Sequence, residues 1–116
     1  MKLELRVKTN QEFQKVIKGS KFSNKCFILY YIKNEFSHPR FGISASKKLG
    51  NAVVRSTVRR RVRGMIQKLM KEQNLPIMDY VIIVRKTFLE KQFLENLKEL
   101  EFLFQRVWRK TNEKID

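Results

Sequence analysis

The segment from Ser46 to Arg63 reads SKKLGNAVVRSTVRRRVR, and it decides the fold because it has the pattern of a two-sided helix. Arg55, Arg59 and Arg63 recur every four residues and therefore share one stripe of that helix. A second, apolar stripe is offset from them and continues beyond the segment at spacings of three and four. Its members are Val54, Val58, Val62, Met65, Ile66 and Leu69. The pattern predicts that one side packs on a core while the other presents guanidinium groups to solvent.

The same region carries an uncompensated positive charge. Between Phe36 and Lys71 there is no Asp or Glu, and this interval holds ten of the 26 basic residues of the 116-residue chain. The other 16 bases face all 11 acids, so the interval accounts for +10 of the net charge of +15. Charge concentrated in this way repels itself in the free protein. An ordinary solvated face mixes Glu with Lys. This face does not, which favours a polyanionic partner, and nucleic acid is the one that fits best.

Arginine rather than lysine dominates this helix. A guanidinium binds phosphate through two N–H groups and stacks on bases, whereas an ammonium acts as a point charge. Arg60 extends the arginine stripe round the back of the helix, and Arg61 falls at the opposite edge of the apolar stripe. Residues 47–51 are predicted to form a short turn in which Asn51 or a neighbour caps the helix and Gly50 supplies a positive φ or a close approach to phosphate. The helix N-terminus adds backbone N–H groups for a phosphate.

The whole chain is predicted to be a single small α+β domain, residues 1–116, with the order α-β-β-α-β-α and room for one further short strand. The central sheet has helices packed on it. A capping box at Thr9 and Glu12 predicts a short first helix that ends at Gly19, after an extended basic segment at residues 1–8. Residues 20–25 are predicted to be a polar connection. Strands are expected at residues 26–33, 40–46 and 79–85.

The arginine-bearing helix is expected to run to about residue 73 and to join two parallel strands, because a strand-helix-strand unit is a crossover. A second capping box, at Thr87 and Glu90, predicts the start of a last helix that reaches about residue 110. Residues 111–116 are predicted to be frayed. The apolar stripe expected on the last helix is Phe93, Leu97, Leu100, Phe104 and Trp108.

The strand at residues 26–33 has no obvious solvent face. Its alternate sets are Phe27, Leu29 and Tyr31 against Cys26, Ile28, Tyr30 and Ile32. One set is predicted to pack on helices and the other to line a trough, beside the small residues Gly42, Ser44 and Ser46. Such a trough suits a single nucleic-acid strand, because a base stacked on an aromatic ring gains about 1–3 kcal/mol. Periodicity leaves equally open the interpretation that all these aromatic residues are core.

The central motif resembles the signature of the bacterial ribonuclease P protein family. It consists of SKKLGNAV at residues 46–53 and Arg55, followed by Arg59, Arg60 and Arg63. The resemblance extends over about residues 5 to 105 and includes NQEFQKV at 10–16, FILY at 27–30 and DYVIIVR at 79–85. Ser56 stands where the family usually has Asn, and Gly64 where it usually has Glu or Gln. The resemblance implies that the crossover is of the uncommon left-handed form.

In that family an RNA subunit holds the active site and, with magnesium, removes the 5′ leader of precursor tRNA, while the protein improves affinity for substrate and metal. The resemblance therefore implies an RNA-binding subunit of an endoribonuclease whose partners are ribonuclease P RNA and the precursor tRNA 5′ leader, with Mg²⁺ held mainly by RNA. It implies contacts to the catalytic RNA from Lys47, Lys48, Asn51, Arg55, Arg59, Arg60 and Arg63. It implies a leader cleft lined by Phe13, Ile17, Phe27 and Tyr30, to which Arg85 and Lys86 add phosphate contacts.

The residues themselves predict neither a catalytic group nor a metal site in this chain. His38, the only histidine, precedes Pro39 in a turn and has no Asp or Cys nearby with which to form a relay. Cys26 lies in a strand and is interpreted as a small buried side chain. The carboxylates are scattered, whereas a metal-dependent nuclease needs them clustered. No feature requires an obligate protein partner.

Two other functions are compatible with the basic helix. A ribosomal-type RNA-binding module would use the same patch to fold RNA. A DNA-binding protein would place the helix in a major groove, but reading base edges needs Asn, Gln and Ser among the arginines, and this face is nearly all cationic. Membrane binding is disfavoured because the apolar stripe is matched to a core. A lone cysteine and the lack of an apolar run of about 18 residues predict a cytoplasmic protein.

Overall fold

The computed structural model describes residues 2–112, which form a four-stranded sheet flanked by three helices. The strands follow the order β1-β2-β4-β3; β3 and β4 are parallel, and the other pairs are antiparallel. The predicted α+β class and the parallel pair joined by a helix are confirmed, and the left hand of this crossover stays a prediction. The helices are α1 (Asn10–Val16), α2 (Ala52–Glu72) and α3 (Phe93–Asn112), and the strands are β1 (Ser20–Ser23), β2 (Phe27–Lys33), β3 (Arg40–Ser44) and β4 (Met78–Val84).

Two segments near the N-terminus differ from prediction. The polar connection expected at residues 20–25 is wrong over its first part, because Ser20–Ser23 pairs with β2 as an edge strand. The extended segment at residues 1–8 is interrupted by a 3-10 turn at Leu3–Leu5. Beyond it, the Val7 N–H donates to the Phe41 carbonyl at 3.0 Å, which ties this segment to β3. Both features depend on a partner distant in sequence, so local patterns could not reveal them.

The first capping box forms and the second does not. The Glu12 N–H donates to Thr9 Oγ1, and the Thr9 N–H donates to Glu12 Oε1, both at 3.1 Å. The prediction that α3 starts at Thr87 is wrong, because Lys86–Glu90 is a 3-10 turn without a side-chain cap and α3 begins at Phe93. Fraying is wrong for residues 111 and 112, which belong to α3, and residues 113–116 lie outside the described part.

The core lies between one face of the sheet and the helices α2 and α3. Phe104 of α3 packs edge-on against Phe41 and Tyr80, with ring centroids 6.1 and 5.0 Å apart. The stripe predicted for α3 is wrong at its two ends, because Phe93 and Trp108 are 43% and 51% exposed. The side chains that α3 buries are Asn96, Leu97, Leu100, Leu103, Phe104 and Val107. α1 lies on the other face of the sheet, over β2 and β4.

Gly50 and Gly64 differ in whether the backbone needs a glycine, and each position supports a prediction. Gly50 has φ +146°, as predicted, and a Cβ there would lie 3.2 Å from Val54. Gly64 lies inside α2 with no atom within 4 Å of an added Cβ. We expect Gly64→Ala to raise the free energy of unfolding by about 0.5–1 kcal/mol, because alanine has the better helix propensity. Gly50→Ala should lower it by about 1–3 kcal/mol through backbone strain.

Urea denaturation of the two variants beside the parent protein measures both effects. A loss of stability in Gly64→Ala would contradict the prediction that a side chain is tolerated at this uncrowded helix position.

Candidate nucleic-acid interface

The arginine stripe lies on the outer side of α2, as predicted, but its three members are half-buried rather than fully exposed to solvent. The helix buries Val58, Val62 and Leu69 on its inner side, which fixes its rotation on the sheet. Arg60 and Arg61 are exposed, while Arg55, Arg59 and Arg63 are half-buried and succeed one another at about 6 Å along the axis. Their guanidinium groups form no ion pair within residues 2–112, where Lys68–Glu72 is the ion pair of this helix. The side formed by Arg55, Arg59, Arg60 and Arg63 is called the α2 basic face below, and Arg61 lies outside it.

An arginine from the N-terminal segment joins the α2 basic face. Arg6 lines, with Arg63, a cleft of about 370 Å³ whose floor includes Phe13, Gly42 and Ile43. Burial lowers the pKa of Arg63, and the neighbouring charges of Arg6 and Arg59 lower it further. The Nε atoms of Arg6 and Arg55 are buried without a hydrogen-bond partner within the described residues. The folded chain therefore gathers guanidinium groups that its own carboxylates leave uncompensated.

Arg40, one cation of the acid-free interval, is bound by carboxylates of the chain itself and is not free to bind a polyanion. Arg40 donates to both carboxylate oxygens of Asp79, from Nε at 2.9 Å and from Nη2 at 2.6 Å, and its Nη1 lies 2.8 Å from Glu12 Oε2. Asn34 Nδ2 donates to the same Asp79 at 2.9 Å. The unpaired charge inferred from the sequence is therefore wrong for Arg40, whose partner Asp79 is 39 residues away. These four residues are called the Arg40 cluster.

The turn before α2 has the predicted geometry. Lys47–Leu49 is a 3-10 turn that exposes Lys47 and Lys48 and buries Leu49. Asn51 is the N-cap of α2, and its Oδ1 accepts from the Val54 N–H at 3.0 Å. Phosphate oxygens are acceptors, so an RNA phosphate contact from Asn51 would use its side-chain NH₂ as the donor. The two exposed lysines and the start of α2 therefore extend the α2 basic face.

A second surface lies on the sheet face that carries α1. One row across the sheet, from β3 to β1, consists of Gly42, Val81, Tyr30 and Lys21. Tyr30 is half-buried, and Lys21 Nζ lies 5.7 Å from the centre of its ring. Ile28 and Ile32 flank Tyr30 on this face of β2, and Ile17 is half-buried at the end of α1. This row and its flanks, with Phe13 and Ile17, are called the sheet trough.

The structure corrects two expectations about this trough. Phe27 is fully buried on the opposite face, where its ring packs edge-on against Phe88 at 5.7 Å, so its placement in the cleft is wrong. The surface at Gly42 is not open to a ligand, because a Cβ there would lie 2.5 Å from the ring of Phe13. The glycine instead lets the Phe13 ring lie close to the sheet. Phe13, Ile17 and Tyr30 are thus brought to one face, and Phe27 is not.

Arg85 and Lys86 are exposed at the end of β4. They are near the first residue of β2, because Val84 pairs with Phe27. Arg85 Nη1 donates to the Asn24 carbonyl at 3.1 Å, which leaves its other N–H groups for a ligand. These two residues lie about 13 Å along the strand from the row that contains Tyr30, at one end of the trough.

Comparison with known proteins identifies the family. The family model described as Ribonuclease P matches residues 1–108. The chain belongs to the ribonuclease P protein family. It is 42% identical over 107 residues to the ribonuclease P protein component of Mesoplasma florum, covering 91% of this chain and 97% of that protein. The corresponding component of Listeria innocua is also 42% identical, over 102 residues, covering 86% of this chain and 85% of its own length.

Solved structures of the ribonuclease P protein family share the fold. The Staphylococcus aureus RNase P protein superposes with a TM-score of 0.79 at 32% identity, covering 89% of this chain and 94% of its own. The RNase P protein from Thermotoga maritima gives 0.78 at 27% identity, covering 87% and 96%. The family resemblance of the central motif is thereby confirmed along almost the whole chain.

The metal-donor side chains in the described part of this ribonuclease P family member are dispersed. Among residues 2–112, no three His, Cys, Asp or Glu side chains come together in a way that could hold a metal ion. Of the carboxylates facing the trough side, Glu12 and Asp79 are both bound to Arg40. Cys26 is buried, which raises the pKa of its thiol, and His38 stacks on Phe36 at 5.6 Å.

Sequence reasoning missed Arg6 and Lys21, the cations that flank Arg63 and Tyr30. Both are in segments interpreted as extended or polar, where no feature of the local sequence distinguishes one lysine or arginine from another. Only the bridge from Arg6 to Phe41 and the pairing of Lys21 with Tyr30 assign them. In the described part of the chain, no helix has the length and apolar composition needed to cross a bilayer.

Proposed function

We propose that this chain is the RNA-binding subunit of a bacterial ribonuclease P and assists a catalytic RNA in removing the 5′ leader from precursor tRNA. One observation carries the proposal. The α2 basic face gathers half-buried arginines, with Arg6, that have no carboxylate partner in residues 2–112, and each would gain hydrogen bonds and charge neutralisation from a phosphate. The residues proposed to bind the catalytic RNA are Lys47, Lys48, Asn51, Arg55, Arg59, Arg60 and Arg63.

The sheet trough is proposed to hold the single-stranded leader. Phe13 and Tyr30 offer aromatic surface about 10 Å apart across the sheet, and Ile17 adds an apolar wall. Lys21 joins Tyr30 as a cation beside a stacking ring, and Arg85 and Lys86 supply phosphate contacts at one end. Such a combination of rings and surrounding cations binds a strand with little dependence on sequence.

Bond breaking is proposed to belong to the RNA subunit. Among residues 2–112 no group of donor side chains is arranged to hold Mg²⁺, and we propose that the ion is held mainly by RNA and substrate phosphates. The contribution of the protein is to neutralise phosphates and to hold the leader. We place this activity in the cytoplasm, where a single buried free thiol, Cys26, needs no oxidising environment.

The test is a maturation assay at near-physiological magnesium. Purified protein is added to a bacterial ribonuclease P RNA and a precursor tRNA, and release of the 5′ leader is followed. Acceleration by the protein is the expected result. Tight binding to the RNA without acceleration would favour a ribosomal-type RNA-binding module instead. Cleavage by the protein without RNA would refute the assignment of catalysis to the RNA.

Tyr30→Ala should weaken binding of a long-leader precursor tRNA to the assembled enzyme, while leaderless tRNA binds as before. Loss of one base stack is worth about 1–3 kcal/mol, which is about 5-fold to 150-fold in Kd. Tyr30→Phe keeps the ring and should bind nearly like the parent protein. Fluorescence titration with both RNAs measures the ratio of their affinities.

Phe27→Leu serves as the core control for that experiment. Its side chain is fully buried, so it should lower the unfolding temperature and leave the ratio of leader to leaderless affinity unchanged. If Tyr30→Ala weakened binding of both RNAs equally, the trough would not be the leader site.

A further inference from the structure

A second group of cations lies at the opposite edge of the sheet from β3. Phe22 of β1 and Arg106, Arg109 and Lys110 of α3 line a cavity of about 310 Å³, here called the β1–α3 patch. From residue 102 to residue 112 the sequence has three bases and no acid. β1 and β3 are the two edges of the sheet, about 14 Å apart, so the patch is separate from the α2 basic face.

Arg106 is oriented before any ligand arrives. Its guanidinium carbon lies 4.4 Å from the centre of the Phe22 ring, and that ring stacks on Tyr31 with centroids 5.7 Å apart and planes at 16°. A guanidinium lying on a ring keeps its N–H groups at the edge, free to donate. Within residues 2–112, Arg106, Arg109 and Lys110 form neither an ion pair nor a side-chain hydrogen bond. The patch therefore presents one positioned guanidinium, that of Arg106, beside two further cations that line the same cavity.

The helix dipole accounts for only part of this charge. Cations are favoured in the last turn of a helix, and Arg109 and Lys110 lie there. Arg106 precedes the last helical residue, Asn112, by six positions, beyond the reach of that effect. Phe102, one turn before Arg106 on the same side of α3, is 47% exposed and leaves a ring uncovered. Arginine interleaved with exposed aromatic rings is the surface that single-stranded RNA recognises.

We propose that the β1–α3 patch is a second RNA-binding site, which takes backbone phosphates of a segment of ribonuclease P RNA other than the segment on the α2 basic face. The two surfaces are separated by more than the Debye length of about 8 Å, so each needs its own phosphates for neutralisation. A membrane surface is the weaker candidate, because recognition of anionic lipid uses clusters of about four to eight basic residues and the patch has three. This inference rests on the proposed function, because it names the same RNA as the partner.

The first experiment compares two double variants that lose the same charge. Arg106→Gln with Arg109→Gln removes the patch, and Lys68→Gln with Lys98→Gln removes two exposed lysines outside it. The patch variant should lose affinity for the RNA on the order of tenfold for each contact and lower the salt slope by about 0.7–0.9 for each lost phosphate. The control should change both much less. Arg106→Lys, which keeps the charge but not the stacked guanidinium, should fall between them.

The second experiment locates the RNA directly. Cys26 is fully buried, so a cysteine introduced at exposed Gln105, beside the patch, or at exposed Gln67, on α2, takes an iron-EDTA reagent selectively. When each of the two labelled proteins is bound to ribonuclease P RNA, the reagent at position 105 and the reagent at position 67 should cut different nucleotides. Cutting from Gln67 alone, with equal affinity and salt slope for patch and control variants, would overturn the second site.

Other outcomes separate this inference from the proposed function. If the unmodified protein neither bound the RNA nor accelerated maturation, the proposed function would fail first. If it did both while the patch variant matched the control, only the second site would fail. Loss of binding to anionic vesicles in the patch variant, with RNA binding unchanged, would reassign the patch to lipid and equally overturn the inference.

Discussion

Replacing Arg55, Arg59 and Arg63 together by alanine is expected to weaken binding to ribonuclease P RNA by about a thousandfold or more. A hydrogen bond to a charged group contributes about 1.5–3 kcal/mol, and 1.4 kcal/mol is a tenfold change in Kd, so three lost phosphate contacts suffice. The slope of log K against log salt should fall by about 0.7–0.9 for each contact. Titration of the RNA at several salt concentrations measures both quantities.

The folded state of this triple alanine variant should be at least as stable as that of the parent protein, although its affinity for RNA falls. Like charges four residues apart repel one another along a helix, and alanine is the better helix former. The pKa of Arg63 is lowered first by burial and then by the charges of Arg6 and Arg59, so removing these arginines also relieves unfavourable charge burial. The unfolding temperature at low salt should therefore stay level or rise, which separates loss of contacts from loss of fold. Arg61→Ala, Lys68→Ala and Lys71→Ala together remove the same charge from the same helix. If this control weakened binding equally, net charge rather than the stripe would explain the affinity.

Arg40→Met is expected to lower the free energy of unfolding by about 3–5 kcal/mol, the largest stability effect that we predict. It leaves the buried Asp79 carboxylate without its guanidinium, and an uncompensated buried charge is costly. The same change releases Glu12, which both caps α1 and holds it to Arg40. Arg40→Met combined with Asp79→Leu removes both charges and should recover much of the loss. Urea denaturation at neutral pH gives the comparison.

The Arg40 cluster also predicts how stability depends on acid. Burial alone would raise the pKa of Asp79, but hydrogen bonds from Arg40 and Asn34 outweigh it, so the pKa is lowered. The pKa of Glu12 is lowered in the same way, with the hydrogen bond from Arg40 overcoming burial. A carboxyl group whose pKa is lowered on folding stabilises the protein fully above its unfolded pKa of about 4. That stability is lost as the pH falls through the lower folded value.

The unfolding free energy of the parent protein should therefore drop as the pH is lowered below about 4. Arg40→Met with Asp79→Leu should show a smaller drop in this range, because Asp79 no longer contributes. Parallel curves for the two proteins would mean that other carboxylates control acid unfolding. Arg40→Met thereby separates a cation that stabilises the fold from the cations that are proposed to bind RNA.

Local patterns were sufficient for several interactions that span three or four residues, although the capping box predicted at Thr87 and Glu90 does not form. The capping box at Thr9 and Glu12, the N-cap at Asn51 and the two stripes of α2 all follow from the helix repeat, and the structure confirms each. The α2 basic face was predictable for the same reason, because residues four apart share a side of a helix in any fold.

Pairings between distant segments could not be predicted in this way. A polar Ser20–Ser23 becomes a strand only because β2 offers it hydrogen bonds. Strand alternation separated Phe27 from Tyr30, but both faces of β2 are apolar, so only the packing of α2 and α3 decided that Phe27 is buried and Tyr30 is half-exposed. The same packing set the rotation of α3 and left Trp108 outside the core.

The amino-acid sequence by itself determined the helix that carries the arginines, the charge on it and the family, because these are written in local spacing and composition. The tertiary structure decided which charges stay free. It joined Arg40 to Asp79 across 39 residues, brought Arg6 beside Arg63, and placed Arg106 on Phe22. The physical reason is that a charge is neutralised by its nearest neighbours in space, and the pairing of strands chooses those neighbours.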